Sequence, residues 1–265
     1  MVLLTGLLLG WAYLGQSGDP AGGLSRNISA PTPTCAHTDS QPRAVGLFGT
    51  LPIYWNEAAE LADYLSRDQA SHWARGVLEY CHTIRNLDSL APEGTGNKGE
   101  SGLGGLRYLL MAQPRVLAPA ENVALDDWVR AGGRLLLFAD PMLTAHSIHP
   151  LGDQRRPADV VILSPILARW GLRLEFDEDQ PPAERMVSVA GVRVPVDMAG
   201  TLVPEAGGGP DTTCHLFARG LAAQCRIGKG HVLILADSAL LDEDGANPAV
   251  RIAAFEALLD RGFSD

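Results

Sequence analysis

The most regular pattern of apolar and polar positions in this chain runs from residue 107 to residue 142. Residues 108–112 (YLLMA) are a short apolar run, which is typical of a strand buried on both faces. Apolar residues then recur at helical spacing as far as Gly132-Gly133, and residues 134–139 (RLLLFA) form a second apolar run. A strand-helix-strand unit of this length predicts a right-handed crossover between parallel strands.

The rest of the chain repeats this alternation of strands and helices. Apolar runs predict further strands at 44–50, 82–87, 172–176, 214–218, 221–227 and 231–236, with a β-hairpin at 186–196. Helical spacing predicts helices from Asn56 through Tyr64, from Ser71 to Cys81, over 161–170, and after Asn247-Pro248. We therefore expect residues 44–265 to form an α/β domain with a mostly parallel sheet flanked by helices and an added β-hairpin region.

The chain before this domain has a different composition. Residues 1–15 are apolar and carry no charged side chain, but they are fewer than the roughly 20 residues of a spanning helix. Residues 16–43 are rich in Pro, Gly, Ser and Thr, which predicts a flexible linker. An apolar segment followed by a linker indicates a signal or membrane anchor. We expect a periplasmic or otherwise extracytoplasmic protein that can associate with the membrane, with a cytoplasmic location as the alternative.

The net charge and the cysteine positions limit which partners, disulfides and metals we expect for this chain. The net charge of −10 at pH 7 repels phosphate backbones, so we expect no nucleic acid partner. If Arg219-Gly220 is a two-residue turn, Cys214 lies directly opposite Cys225, within reach of a disulfide. Two reduced cysteines are the alternative. The chain has no C-x-x-C pair, so we expect no structural metal.

Four segments carry a resemblance to a known family: 109–114 (LLMAQP), 125–141 (LDDWVRAGGRLLLFADP), 163–171 (LSPILARWG) and 228–238 (GKGHVLILADS). In these segments the chain resembles the ABC-transporter-associated domain of gliding-motility auxiliary proteins, which shares its fold with class I glutamine amidotransferases. The resemblance covers roughly residues 44–262. It implies a flavodoxin-like sheet, a membrane-linked extracytoplasmic setting, and a binding or scaffolding role with ABC transporter subunits as partners.

The residues at the expected nucleophile position argue against amidotransferase chemistry. The nucleophile would follow the strand at 134–139, where this chain has Asp140 and then Pro141. Proline has no N–H to serve as an oxyanion donor after the nucleophile. The string at 94–99 (GTGNKG) follows a loop rather than a strand, so it does not predict a dinucleotide site. We expect no cofactor, and no catalysis of this kind.

In open α/β sheets, ligands bind outside the carboxyl ends of the strands. The polar residues at the predicted ends and in the 140–156 loop are therefore the candidate ligand-binding residues: Thr50, Tyr54, Trp55, Gln113, Asp140, His146, His149, Arg155, Asp237 and Ser238. The expected function is non-catalytic binding of a small ligand, or scaffolding. The alternative is a hydrolase or metal-dependent enzyme that uses the 140–156 loop, with its histidines and Asp140 as possible metal ligands.

Overall fold

The structure is a computed structural model that describes residues 43–55, 57, 71–91 and 102–264. The apolar segment at 1–15 lies outside these residues. The predicted linker also lies outside them, except for Arg43. The same is true of the helix predicted after Asn56, except for Glu57.

The described residues contain four α-helices and eleven strands. The helices are α1 (Trp73–Cys81), α2 (Pro119–Arg130), α3 (Ser164–Arg169) and α4 (Pro248–Phe263). The strands are β1 (Arg43–Gly49), β2 (His82–Asn86), β3 (Tyr108–Ala112), β4 (Arg134–Phe138), β5 (Leu172–Glu175), β6 (Arg185–Val189), β7 (Val192–Val196), β8 (Thr201–Pro204), β9 (Thr212–Phe217), β10 (Ala222–Ile227) and β11 (Gly230–Leu235).

Seven of these strands form one sheet in the order β2-β1-β3-β4-β11-β10-β9. The first five strands in this order are parallel, and β10 and β9 extend the sheet antiparallel at one edge. The predicted unit of two parallel strands joined by a helix is present as β3, α2 and β4. The prediction of an α/β domain with a mostly parallel sheet is therefore confirmed.

The continuous apolar runs arise because the sheet is covered on both faces. Along β3 and β4, Leu110 and Leu136 belong to one core, which also contains buried residues of α1 and α4. Their neighbours Leu109 and Leu135 belong to a second core with residues of α2 and α3. A strand with both faces buried needs apolar side chains at consecutive positions, which explains the lack of alternation.

Between residues 161 and 204 the structure differs from the prediction at one helix boundary and adds one strand. Helix α3 begins only at Ser164, and the N–H of Val161 donates to the carbonyl of Asp140 at 3.0 Å, which holds Val161 against the end of β4. Strand β5 does not join the main sheet, but pairs antiparallel with β8, which the sequence did not predict. In β5 buried Leu172 is followed by exposed Arg173, as in a strand with one face towards solvent. The β6-β7 hairpin forms a separate two-stranded sheet.

The β9-β10 hairpin contains a disulfide between Cys214 and Cys225, whose Cα atoms are 4.0 Å apart and directly paired. The connection is longer than the predicted Arg219-Gly220 turn. It spans 218–221, and Ala218 and Arg219 both adopt positive φ angles. The cross-strand register is nevertheless the one that a turn centred on Arg219-Gly220 requires. Disulfides persist in oxidising compartments, so this bond indicates an extracytoplasmic environment.

We expect removal of this disulfide to lower the free energy of unfolding by about 2–3 kcal/mol, because the bond closes a short loop in the unfolded chain. The double variant Cys214→Ser/Cys225→Ser, compared with the wild type by urea denaturation, measures the loss. Non-reducing peptide mapping of protein purified from an oxidising compartment should also recover the linked peptides. Two free thiols in that protein would contradict the bond and weaken the case for export.

Within the described part of the chain, no helix combines the length and apolarity needed to cross a bilayer.

Candidate functional site

The carboxyl ends of β1, β3, β4 and β11 carry two distinct polar features, a buried cluster and an open pocket. We call the first the strand-end cluster and define it as Gln113, Asp140, Asp237 and Ser238, all of which are buried. The second is the switch-point pocket, described below. The ten candidate residues divide between these two features and one neighbouring cavity.

Gln113 links three segments of the chain within the strand-end cluster. It follows β3 with a positive φ of 48° and is fully buried. Its side-chain Nε2 donates to the carbonyls of Asp140 (3.0 Å) and Ala158 (2.8 Å), and its Oε1 accepts from the N–H of Asp140 (2.9 Å). The amide thus takes the place of a backbone ladder beyond the ends of β3 and β4, where the strands no longer pair.

Asp140 uses both carboxylate oxygens to bind its own chain. Oδ2 accepts from the N–H (3.1 Å) and the hydroxyl (2.8 Å) of Ser238, and Oδ1 accepts from the N–H of Met142 (2.9 Å). Burial raises the pKa of Asp140, and the nearby charge of Asp197 acts in the same direction, while these hydrogen bonds oppose the change. The side chain therefore connects the ends of β4 and β11.

Asp237 plays the same structural part at the end of β11. Its Oδ1 accepts from the N–H of Ala239 at 2.7 Å, and its Oδ2 accepts from the N–H of Asp197 at 2.9 Å. Burial raises the pKa of Asp237 well above the usual value for aspartate, and the charge of Asp140 adds to the increase. All four members of the strand-end cluster thus hold strand ends together.

The switch-point pocket lies where the strand order reverses between β1 and β3, which is where open α/β sheets bind ligands. Its volume is about 230 Å³. It is lined by five of the candidates, together with residues of β1, β2, β3 and the segment after β1: Leu47, Gly49, Thr50, Leu51, Pro52, Tyr54, Trp55, Glu57, Asn86, Ala112, His149 and Arg155.

The segment that follows β1 supplies one wall of the pocket. The hydroxyl of Thr50 donates to the carbonyl of Gln113 (2.6 Å) and accepts from the N–H of Ala158 (2.9 Å), so it joins the wall to the strand-end cluster. The guanidinium of Arg75 lies 4.5 Å from the centre of the Tyr54 ring, and Trp55 packs edge-on against the same ring. Trp55 itself remains 65% exposed.

The loop that carries His149 and Arg155 supplies another wall of the pocket. Glu57 holds this loop, because its carboxylate accepts from the hydroxyl of Ser147 (2.7 Å) and the N–H of Ile148 (2.8 Å). Arg155 forms two hydrogen bonds with the carboxylate of Asp153, at 2.7 and 3.0 Å, and this pairing holds the pKa of Asp153 below its usual range. The loop is therefore fixed by side-chain contacts rather than by secondary structure.

His146 lies outside this pocket. It lines a neighbouring cavity of about 290 Å³ that also contains His72 and the acidic residues Asp242, Glu243 and Asp244. Burial, followed by the charges of Asp244 and Asp242, raises the pKa of Glu243. In the part of the chain that the structure describes, no three His, Cys, Asp or Glu side chains are grouped so that they could hold a metal ion.

Two pocket residues with polar side chains were absent from the sequence-based candidates. Asn86 is the last residue of β2, and applying the strand-end rule to the predicted strand at 82–87 would have found it. Glu57 has no comparable signal, because its partners Ser147 and Ile148 are about ninety residues away in sequence.

Comparison with known proteins gives no family for the chain. No family model and no curated protein matches it. Among solved structures it is similar to the exo-β-1,4-mannosidase Op5Man5 from Opitutaceae bacterium strain TAV5, with 13% identity over 84% of this chain and 36% of that one and a TM-score of 0.47. It is also similar to a β-galactosidase from Bacillus circulans, with 10% identity over 83% of this chain and 31% of that one and a TM-score of 0.43.

A ThuA-like protein from Bacteroides uniformis is a third similar structure, with 10% identity, coverage of 88% of this chain and 98% of that one, and a TM-score of 0.41. The chain spans only about a third of the length of the two glycosidases. At these identities and TM-scores the similarities decide neither fold family nor function. What the fold and site define is a class: an α/β protein with a small polar pocket at the switch point of a mostly parallel sheet.

Proposed function

We propose that this chain is a non-catalytic, extracytoplasmic binding or scaffolding domain related to the auxiliary proteins of ABC-type transport. We also infer that its sheet is of the flavodoxin-like, class I amidotransferase-like type. The five parallel strands support this inference, because their order β2-β1-β3-β4-β11 corresponds to the 2-1-3-4-5 order of flavodoxin-like sheets.

The surroundings of Asp140 carry the non-catalytic part of the proposal. In an amidotransferase-like enzyme this position would hold an exposed nucleophile. Here the side chain is fully buried, and both of its oxygens accept hydrogen bonds from Ser238 and Met142. The next residue is Pro141, which offers no N–H to a developing oxyanion. A substrate carbonyl would find neither an accessible nucleophile nor that donor.

The switch-point pocket supports a binding role. Its walls are held by contacts that do not involve a ligand, namely Arg75 with Tyr54 and Glu57 with the loop before His149. Such a pre-formed pocket with a few polar side chains is the usual form of a small-molecule site. The Cys214–Cys225 disulfide supports the extracytoplasmic location. We further propose that the protein is periplasmic and that residues 1–15 anchor it to the membrane.

We expect the purified protein to hydrolyse neither glutamine nor simple esters. The loss of a single oxyanion donor typically lowers the rate by about 10²–10³-fold, and Asp140 in addition cannot reach a substrate. Steady-state glutaminase and esterase assays on the wild type and on His149→Ala provide the measurement. Turnover that is proportional to protein concentration and is lost in the His149→Ala variant would overturn the non-catalytic assignment.

The transport association needs a separate test. Genes for a transporter ATPase and permease next to this one would support it. In the native membrane, chemical cross-linking of the full chain should then join it to one of these two subunits. Cross-linking to neither subunit at native expression would reject the transport role while leaving a binding function intact.

One observation favours the alternative, a hydrolase that uses the 140–156 loop. His149 lines the pocket, and its imidazole makes no hydrogen bond to the residues that the structure describes, so it could act as a general base. The same assays, extended to other hydrolase substrates and to added divalent metals, distinguish the two functions.

A further inference from the structure

The hydrogen-bonding state of His149 indicates what the switch-point pocket binds. The residue is only 5% exposed. Its backbone is satisfied, because its N–H donates to the hydroxyl of Ser147 (3.1 Å) and its carbonyl accepts from Arg156 (2.9 Å). The imidazole has no hydrogen-bond partner among the described residues. The ring nitrogens are not enclosed by protein, so they are open to hydrogen-bond with a group that enters the pocket.

The charged groups of the pocket are already engaged. The guanidinium of Arg155 is paired with Asp153 through two hydrogen bonds, and the carboxylate of Glu57 accepts from Ser147 and Ile148. A charged ligand would have to compete with these contacts, and its own charge would lack a dedicated partner. The geometry therefore favours a neutral ligand.

The remaining polar groups are uncharged donors and acceptors. The carboxamide of Asn86 and the hydroxyl of Tyr54 line the pocket and, like the imidazole of His149, form no hydrogen bond within the described part of the chain. A carboxamide and a phenol can each both donate and accept, as a hydroxyl group does. Three such groups around one pocket suit a ligand that carries several hydroxyl groups.

Trp55 and the pocket volume restrict the ligand further. Trp55 lines the pocket and is 65% exposed, so a ligand can pack a C–H face against the negatively polarised face of its indole ring. The volume of about 230 Å³ is below the range of about 300–1,000 Å³ that is usual for drug-sized ligands. A single sugar ring combines hydroxyl groups at its edge, C–H groups on its faces and a small volume.

We propose that the switch-point pocket binds one neutral sugar residue, with hydroxyl groups of the sugar on His149, Asn86 and Tyr54 and its C–H face on Trp55. This inference rests on the proposed binding function and names its ligand class. It concerns recognition alone, and no bond of the sugar is broken.

The test uses the full chain and a panel of methyl glycosides of glucose, mannose, galactose and N-acetylglucosamine, with glucuronate and inorganic phosphate as charged probes. Calorimetry or ligand-observed NMR measures binding. We expect saturable binding of at least one neutral glycoside and a loss of about tenfold or more in affinity in His149→Ala. Trp55→Ala should also weaken binding, and Trp55→Phe should restore part of it.

The matched control is His215→Ala, since His215 is an exposed histidine on β9, the edge strand at the opposite side of the sheet from β2. It should keep the wild-type affinity. If His149→Ala fails to fold, the exposed residue Trp55 decides the question. The inference is wrong if only glucuronate or phosphate binds, if no neutral glycoside binds, or if both pocket variants bind like the wild type. Hydrolysis of a bound glycoside would instead overturn the non-catalytic function and leave the ligand class intact.

Discussion

Replacing Gln113 with alanine should lower the free energy of unfolding by about 2–6 kcal/mol, since one buried and one part-buried backbone group lose their partners at about 1–3 kcal/mol each. These groups are the N–H of Asp140 and the carbonyl of Ala158, which pair with the Gln113 side chain at 2.9 and 2.8 Å. Loss of the Gln113 hydrogen bond costs less at the carbonyl of Asp140, because this carbonyl still accepts from the N–H of Val161. Urea denaturation measures the effect as a lower midpoint at an unchanged slope.

Gln180→Ala is the matched control for this prediction. The side chain of Gln180 also donates to two backbone carbonyls, those of Asp177 and Ala199, but it is only half-buried. Water can replace those hydrogen bonds, so we expect a loss of no more than about 1 kcal/mol. If Gln113→Ala were no more destabilising than Gln180→Ala, water would have to reach the strand-end cluster. The cluster would then not hold the strand ends together.

The second large effect is expected for Asp237→Ala, and it should depend on pH. At pH 5 the substitution leaves the N–H groups of Ala239 and Asp197 without their buried acceptor, at a cost of about 2–5 kcal/mol. The cost should decrease as the pH rises towards 8. The reason is that burial, together with the charge of Asp140, raises the pKa of Asp237 in the folded state.

The sign of this pH dependence follows from proton linkage. An aspartate has a pKa of about 3.9 in the unfolded chain, so between that pH and the raised pKa of the folded state, the folded protein holds a proton that the unfolded chain has released. The resulting stability is fully present below the unfolded value and is lost as the pH rises through the folded value. The wild type therefore loses stability as the solution becomes neutral, whereas Asp237→Ala has no such group to ionise at this position.

Denaturation of both proteins at several pH values between 5 and 8 tests this expectation. Asp127→Ala is the control, because Asp127 is exposed on α2 and its removal should have only a small effect on the free energy of unfolding. A difference between the wild type and Asp237→Ala that stays constant over this range would show that Asp237 does not hold a proton in the folded protein. The opposite trend, a cost that grows with pH, would contradict burial as the dominant influence.

Local pattern was sufficient to predict the central strands and helices. Residues 108–112 and 134–139 are apolar at consecutive positions because both faces of β3 and β4 are covered, and such runs can be recognised without any knowledge of the fold. The start of α2 at Pro119 and the start of α4 at Pro248 follow from the fixed φ angle of proline. The cross-strand pairing of Cys214 with Cys225 follows from simple counting about a turn.

The division of the candidate residues between the pocket and the strand-end cluster was decided only by the tertiary structure. The strand-end rule identified Gln113, Asp140 and Asp237 because polar residues follow apolar runs, but it cannot tell an exposed side chain from one that bonds to a distant backbone group. Asp140 meets Ser238, and Glu57 meets Ser147, across about ninety or more residues. Whether a side chain is buried and hydrogen-bonded depends on which distant segments pack against it. The local sequence pattern does not contain that information.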